Sequence, residues 1–331
     1  SAFGISGRRD DVGGHHLMLA YAFRRLIGAF PVLLLVSLLA FGLIHIIPGD
    51  AAQVIAGPDA STDQIEAVRS TLGLNRPLPE QFIIWFSNLM RLDLGMSYML
   101  GRSVAQAIAE RFPVTFLLTL YSLVLTVPVG VIAGLLAAYK HNRWADTALM
   151  TAALVGVSLP TFWLSLMAVL LFSVQLGWLP SGGYVPLSES VIGCLRSLTL
   201  PAVALAVFQI ALLARMTRAT TLEVLQQDYV RTARAKGAAE RTVVARHALA
   251  NVLIPVVTVI GIIINVALSG AVVIEQIFSL PGVGQLVVQG ILRRDYPVIQ
   301  GSLLAVALLM VIVNLLVDLL YSYLDPRVKH D

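Results

Sequence analysis

The side chains able to do chemistry are sparse in this sequence, and they crowd into one stretch. DYVRTARAKGA, residues 228–238, carries Asp228, Arg231, Arg234 and Lys236 beside Ala233, Ala235 and Gly237, in a 331-residue chain that is only 13% charged. Charges beside small residues suit recognition rather than bond-making. They pair with a partner's opposite charges, and the small side chains let its backbone come close. Tyr229, Ala233 and Gly237 recur every four residues, so on a helix they share a face flanked by Arg231 and Arg234. On the residues alone, a docking helix and a solvated basic loop near anionic headgroups both fit.

Catalytic patterns are missing from the sequence. It contains no H-E-x-x-H, no G-x-S-x-G and no Cys/His cluster at ligand spacing, so no catalytic or metal-ligating residue is assigned. No Gly is followed by Lys, which excludes the phosphate-cradling loop of an ATP hydrolase. Lone Cys194 permits no intramolecular disulfide. His45 and His247 lack a partner nearby in sequence. Asp318 is the one ionisable side chain expected within a membrane span; Asn314 lies four residues earlier on the same face. That scarcity disfavours an ion-coupled carrier, which usually needs charges within its spans.

The elements that position these residues are set by the 57% apolar composition and by where the charges fall. Six stretches lack Asp, Glu, Lys and Arg for 18 residues or more: 26–49, 112–139, 147–188, 197–214, 247–274 and 296–317. A helix needs about 20 apolar residues to cross a bilayer core, so six transmembrane helices are expected. The longest stretch ends in GWLPSGGYVPLS, residues 177–188, which is too rich in Pro and Gly to face lipid. That leaves one helix over about 147–176. The 197–214 helix extends to Met216, with Arg215 reaching toward headgroups. With six spans both termini lie on one side. Placing them inside puts 15 of the 23 Lys and Arg residues in the inner segments, so the termini and the 217–249 loop are expected in the cytoplasm.

The organisation expected is an N-terminal tail over 1–25, a six-helix domain over 26–324 and a C-terminal tail over 325–331. Residues 1–17, with their Ser start and GGHH, read as added sequence and are set aside. The outer loop 48–111 contains STDQIEAVRSTLG, where Asp63 is expected to cap a helix with Glu66 reaching back. Pro77 and Pro79 read as stops, and Phe82, Trp85 and Phe86 as an interfacial stripe or a packed lid. Residues 222–246 read as two short helices broken at Gly237. Gln209, Asn265 and Ser269 are uncharged polar residues within spans. They suit the lining of a path or interhelical hydrogen bonds equally.

RMTRATTLEVLQQDYVRTARAKGAAERTVVARHALANVLIPVV, residues 215–257, is similar to the signature loop of a known family, the B-type permease subunits of dipeptide, oligopeptide and nickel ABC importers. The likeness spans residues 24–328. It includes RRLIGAFPVLLLVSLLAFGLIHIIPGD, LGLNRPLPEQF, DLGMSY, LPTFWLSLMAVLLF, GAVVIEQIFSLPGVGQLV, RDYPVIQG and NLLVDLLYSYLDPR in order. The general importer signature begins Glu-Ala-Ala, whereas Arg231, Thr232 and Ala233 stand here, and Gly237 lies farther from Pro255 than in sugar importers. Both departures fit the peptide branch.

The resemblance implies an all-α, type I ABC importer permease in the bacterial inner membrane. It implies a homologous second permease, one or two cytoplasmic subunits that bind ATP and Mg, an extracytoplasmic substrate-binding protein, and no cofactor or nucleic acid on this chain. It makes Asp228, Tyr229, Arg231, Ala233, Arg234, Lys236 and Gly237 the ATPase-coupling helix, with Ala233 and Gly237 at close approach. Glu275, Phe278, Pro281, Gly282 and Gly284 become the outer gate that meets the binding protein. Without the resemblance, EQIFSLPGVG reads as a Pro-Gly turn with Glu275 interfacial and Phe278 in the headgroup layer. Peptide is the substrate implied, with nickel chelates or other small solutes as the alternative. A stand-alone carrier and a membrane scaffold are the competing classes.

Overall fold

The chain folds into long helices, and their lengths reflect the apolar runs. The computed structural model describes residues 27–43, 51–57, 59–71, 73–97, 99–237, 242 and 249–324. The tails at 1–25 and 325–331, His45, His247 and the helix expected after Gly237 lie outside the described residues. Helix α1 is Ile27–Leu43. Three short helices come next: α2 (Ala51–Ala56), α3 (Thr62–Thr71) and α4 (Leu78–Met90). A two-stranded ribbon, β1 (Met96–Ser97) and β2 (Arg102–Ser103), then leads directly into α5 (Val104–Tyr139). After it come α6 (Trp144–Ser158), α7 (Thr161–Ala168) running on as a π-helix over Val169–Gln175, α8 (Val191–Leu225) and α9 (Asp228–Ala235). The last three are α10 (Leu249–Ile277), α11 (Val283–Arg293) and α12 (Tyr296–Leu324).

Among the described residues, four helices are long and apolar enough to cross a membrane, and α6 with α7 makes a fifth if that bent pair is one span. α1 is apolar, with 27–43 the part of it among the described residues. The straight helix expected over 147–176 is instead bent by 99°. The cause is Pro160. It has no N–H to donate, and it holds Leu159 extended at φ −77°, ψ 126°. α8 exceeds its expected span at both ends. Its 35 residues reach roughly 50 Å, well beyond a hydrocarbon core of about 30 Å. One unbroken rod therefore joins the two ends of the bundle.

α5 lies along α8, and small residues set the spacing between them. A Cβ on Gly130 would lie 2.9 Å from Leu213, and one on Gly134 would lie 2.6 Å from the Ala214 carbonyl. Gly156 brings α6 onto Ala211 of the same rod. Close backbone approach of this kind supplies packing where lipid removes the hydrophobic drive. The core at the end where α8 begins gathers Val114, Leu118, Leu198, Leu205, Ile274 and Phe278, all buried. The core at its other end is built on Leu213, Val252, Val256 and Ile263.

Two local expectations in the first loop are corrected. The cap of α3 is Ser61 with Gln64: the Ser61 N–H donates to Gln64 Oε1 at 2.9 Å, and the Gln64 N–H to Ser61 Oγ at 3.3 Å. Asp63 sits in the first turn, and Glu66 meets Arg69 and Asn75 instead. Pro77 and Pro79 open α4 rather than stop a helix, because a first turn needs no donor from its earliest residues. The aromatic stripe of α4 packs on α1, with Phe41 5.4 Å from Phe82 and 5.8 Å from Trp85.

Candidate functional site

The charged stretch that begins at Asp228 forms a small helix standing off the end of the bundle. α8 stops at Leu225; Gln226 and Gln227 break it, and Gln227 at φ −67°, ψ 148° starts α9 at a new angle. Val230 is the buried residue of α9, and Ala233 is half-buried one turn later. Asp228, Arg231, Arg234, Ala235 and Lys236 are exposed. Asp228 and Arg231 make a loose ion pair at 3.8 Å on that outer surface. Arg234 folds back to donate to the Leu225 carbonyl at 3.3 Å. The Tyr229 hydroxyl accepts from Asn251 Nδ2 at 2.7 Å, tying α9 to the start of α10.

Gly237 does not share the Tyr229–Ala233 face, because the helix has already ended. It lies in the left-handed region at φ +83°, donating to the Arg234 carbonyl at 2.9 Å. Glycine is favoured there because a Cβ would crowd the following carbonyl oxygen. A Cβ at Gly237 would meet nothing within 4 Å. Ala233 turns partly inward, so the exposed surface of α9 is Asp228, Tyr229, Arg231, Thr232, Arg234 and Ala235, with Lys236 just beyond its end.

A second polar cluster sits at the opposite end, and it is built inward. Glu275 is fully buried near the end of α10. Its Oε1 accepts from Thr115 Oγ1 at 2.6 Å and its Oε2 from the Gln285 N–H at 2.9 Å. The same Thr115 hydroxyl accepts from the Val283 N–H at 2.9 Å. The first N–H groups of α11, which have no helical partner of their own, are therefore satisfied by a carboxylate and a hydroxyl. The negative group also lies at the favourable end of the helix dipole. Neither Glu275 nor Phe278 lies at the surface expected from a simple turn; both are buried.

The glycines of this segment leave room for that carboxylate. A Cβ on Gly282 would collide with Glu275, and one on Gly284 would lie 2.6 Å from the Val272 Cα. Gly282 ends the turn after Pro281, and its N–H reaches the Leu280 carbonyl at 2.8 Å. The loop before α8 docks on the same turn. The Gly183 N–H donates to the Phe278 carbonyl at 2.9 Å, with Gly182 packed closely against it. Arg111 of α5 reaches Gln285 at 3.4 Å and Gln289 at 3.5 Å, securing the flank of α11.

Sequence reasoning missed Thr115, Ser97 and Asp295 as parts of this end. Ser97 Oγ donates to buried Asp295 at 2.5 Å and accepts from the Leu100 N–H at 2.9 Å. Asp295 also receives the Val298 N–H at 3.4 Å in the first turn of α12. The segments DLGMSY and RDYPVIQG thus meet in space, although 198 residues separate the bonded pair. It also missed Asp146 and Arg218 at the α9 end. Arg218 Nε and Nη2 grip the two carboxylate oxygens of Asp146 at 2.6 and 2.7 Å. In sequence both are only charges beyond the ends of apolar runs.

Of the three polar residues within the spans, Asn265 and Ser269 are brought together and Gln209 lies apart. Gln209 is buried between α8 and α5, accepting from Thr126 Oγ1 at 3.0 Å. Asn265 of α10 donates to Asn314 of α12 at 2.7 Å, and exposed Ser269 donates to the Asn265 carbonyl at 3.1 Å. Asn265, Ser269 and Asn314 form one polar strip on an outer face, and Gln209 belongs to the interior of the α5–α8 pair.

Comparison with known proteins agrees with this architecture. Residues 130–330 match the family described as binding-protein-dependent transport system inner membrane component, and residues 18–119 match its N-terminal companion. A Brucella melitensis protein, provisionally named a peptide transport system permease protein, is 52% identical over 95% of this chain and all of its own length. The glutathione transport system permease protein GsiC of Escherichia coli K12 is 44% identical, with the same coverage. A solved structure of the MetNI methionine ABC transporter in inward-facing conformations is similar in fold, with a TM-score of 0.50 and 19% identity. The match covers 67% of this chain and 94% of that one. With family matches over both parts of the chain and full-length relatives at this identity, the protein belongs to the binding-protein-dependent transport system inner membrane components, the multi-pass permeases of ABC importers.

Proposed function

We propose that this chain is one of two homologous permease subunits whose interface forms a path for peptides. The observation that carries this is α9. It is an eight-residue helix with its charged surface exposed, joined by a two-residue break to a rod that runs the length of the bundle. Such a helix contributes one buried residue to its own fold, so its exposed surface suits a partner. One or two cytoplasmic subunits that bind ATP and Mg would receive it, and their closure would move α8. An extracytoplasmic binding protein would deliver cargo at the opposite end, where α11 and the 278–284 turn form the gate. The chain itself performs no chemistry on ATP.

The topology proposed is six spans with both ends cytoplasmic, α1 being the first and the bent α6–α7 pair the third. The excess of Lys and Arg near α9 supports that side as the cytoplasm. Relatives named for peptide and glutathione transport support peptides as cargo over nickel chelates. The strip of Asn265, Ser269 and Asn314 is the part of the path that this subunit would contribute. Its amides can exchange hydrogen bonds with a passing peptide backbone without trapping charge.

The test is purification from mild detergent with identification of what accompanies the chain. A second six-helix permease together with an ATP-binding protein is the expected result. Reconstituted with its binding protein, that assembly should import short peptides on ATP addition. A chain that purifies alone and transports alone would overturn the reading and favour a secondary carrier.

A further inference from the structure

The strongest feature that the family reading does not use is the grip of Arg218 on Asp146. α6 begins at Trp144 without a side-chain cap from Arg143. Asp146, in its first turn, reaches back to accept the Asn142 N–H at 3.1 Å. Asn142 itself is left-handed at φ +60°, which makes the turn between α5 and α6 tight. Both Asp146 oxygens then take the Arg218 fork from α8, and His141 Nδ1 lies 3.2 Å from Arg218 Nη2. The Asp146 side chain is 6% exposed and the Arg218 side chain 24%. The end of α5, the start of α6 and one turn of α8 are thus joined through a single carboxylate.

The position of this grip on the rod is informative. Beyond Arg218 come buried Thr221 and the end of α8 at Leu225, and α9 starts at Asp228. Any displacement of α9 enters α8 through that final stretch. It also enters α10 through Tyr229 and Asn251. A two-point guanidinium–carboxylate contact fixes rotation about the rod axis as well as distance, which an apolar contact would leave free. The small residues along α5 and α8 hold the helices close, and Thr126 bonds Gln209 between them at one point; the Asp146–Arg218 contact adds a charged two-point grip that also takes in α6.

We infer that Asp146 and Arg218 are positioning residues for coupling: they make the α5–α6 corner move as one body with the α8–α9 elbow. The inference rests on the proposed role of α9. It gives the α6–α7 bend a use, since the corner is one end of a broken span whose other half packs near the opposite gate. Without the grip, α9 would still dock, but its displacement would dissipate as slippage of α8 against α6.

The test uses the assembled transporter in vesicles, with the variants Asp146→Asn, Arg218→Lys and the double variant D146A/R218A. Three readouts are needed: ATPase subunit co-purified per permease, thermal stability, and stimulation of ATP hydrolysis by loaded binding protein. Each variant should retain its ATPase subunit yet lose stimulation by about tenfold, within the range of coupling between distant sites. Asp146→Asn strands the Arg218 charge and should lose stability, Arg218→Lys keeps a charge beside Asp146 and loses only the two-point geometry, and the double variant should regain stability without regaining stimulation. That split separates positioning from mere structure. A double variant with normal stimulation, or one that no longer assembles, overturns the inference. Wild-type permease that holds no ATPase subunit would instead overturn the α9 reading, and this inference with it.

Discussion

Replacing Thr115 by Val removes one hydroxyl and almost nothing else, and it should loosen the start of α11. That hydroxyl accepts the Val283 N–H at 2.9 Å and donates to Glu275 at 2.6 Å, in a site where Glu275 is fully buried. A buried N–H left without an acceptor costs about 1–3 kcal/mol, and a lost hydrogen bond to a charged group about 1.5–3 kcal/mol. The two losses share one atom and are not independent, so about 3 kcal/mol is the expected local cost. At about 1.4 kcal/mol per tenfold, the first amides of α11 should open roughly 150-fold more often. Hydrogen exchange of the purified permease in lipid nanodiscs reads this directly at Val283, Gly284 and Gln285. Amides around Leu213, in the core at the other end of α8, should be unchanged. Exchange at 283–285 within about threefold of wild type, against the roughly 150-fold expected, would refute the claim that this hydroxyl and the Glu275 carboxylate hold the helix start. A uniform rise throughout the chain would refute its locality.

Single contacts elsewhere carry further expectations. Gly134→Leu should separate α5 from α8, since its Cβ position already lies 2.6 Å from Ala214 and Thr217; overpacking of about 1–3 kcal/mol would appear as a lower melting temperature in detergent. Ser97→Ala removes the 2.5 Å contact to buried Asp295, so limited proteolysis should cut the 96–103 ribbon faster while the α9 end keeps its resistance. Gly237→Asn should retain the ATPase subunit because Asn tolerates the left-handed region, whereas Gly237→Leu should lose it; equal co-purification of both would remove Gly237 from the docking surface. Asn265→Leu strands the Asn314 amide at a cost of about 0.6–1.7 kcal/mol, and should slow peptide uptake more than it lowers stability, read by comparing transport rate with melting temperature.

The composition was enough to determine the solvent of this protein, because lipid tolerates few charges; five of the six charge-free gaps fall on helices, or on the bent α6–α7 pair, long and apolar enough to cross a membrane. The end of the short helix at Gly237 was also legible, since a glycine there has a local cause, but its start was not: 222–225, expected in that helix, belong to α8, and the break falls at Gln226 and Gln227. Boundaries were less so. The run after Asp146 reads as one helix until Pro160 bends it, and α8 overruns its apolar stretch at both ends because Ser190 caps it outside and Arg218 finds Asp146. What sequence alone left open is which polar groups meet. Glu275 reads as interfacial from its neighbours in the chain, yet Thr115, 160 residues away, and the start of α11 enclose it. Ser97 and Asp295, and Asp146 and Arg218, are ordinary hydroxyls and charges in sequence and become partners only by folding. Apolar periodicity and local capping act over a few residues and can be read along the chain. Pairing between buried polar groups depends on where distant helices come to lie, so only the tertiary structure decides it.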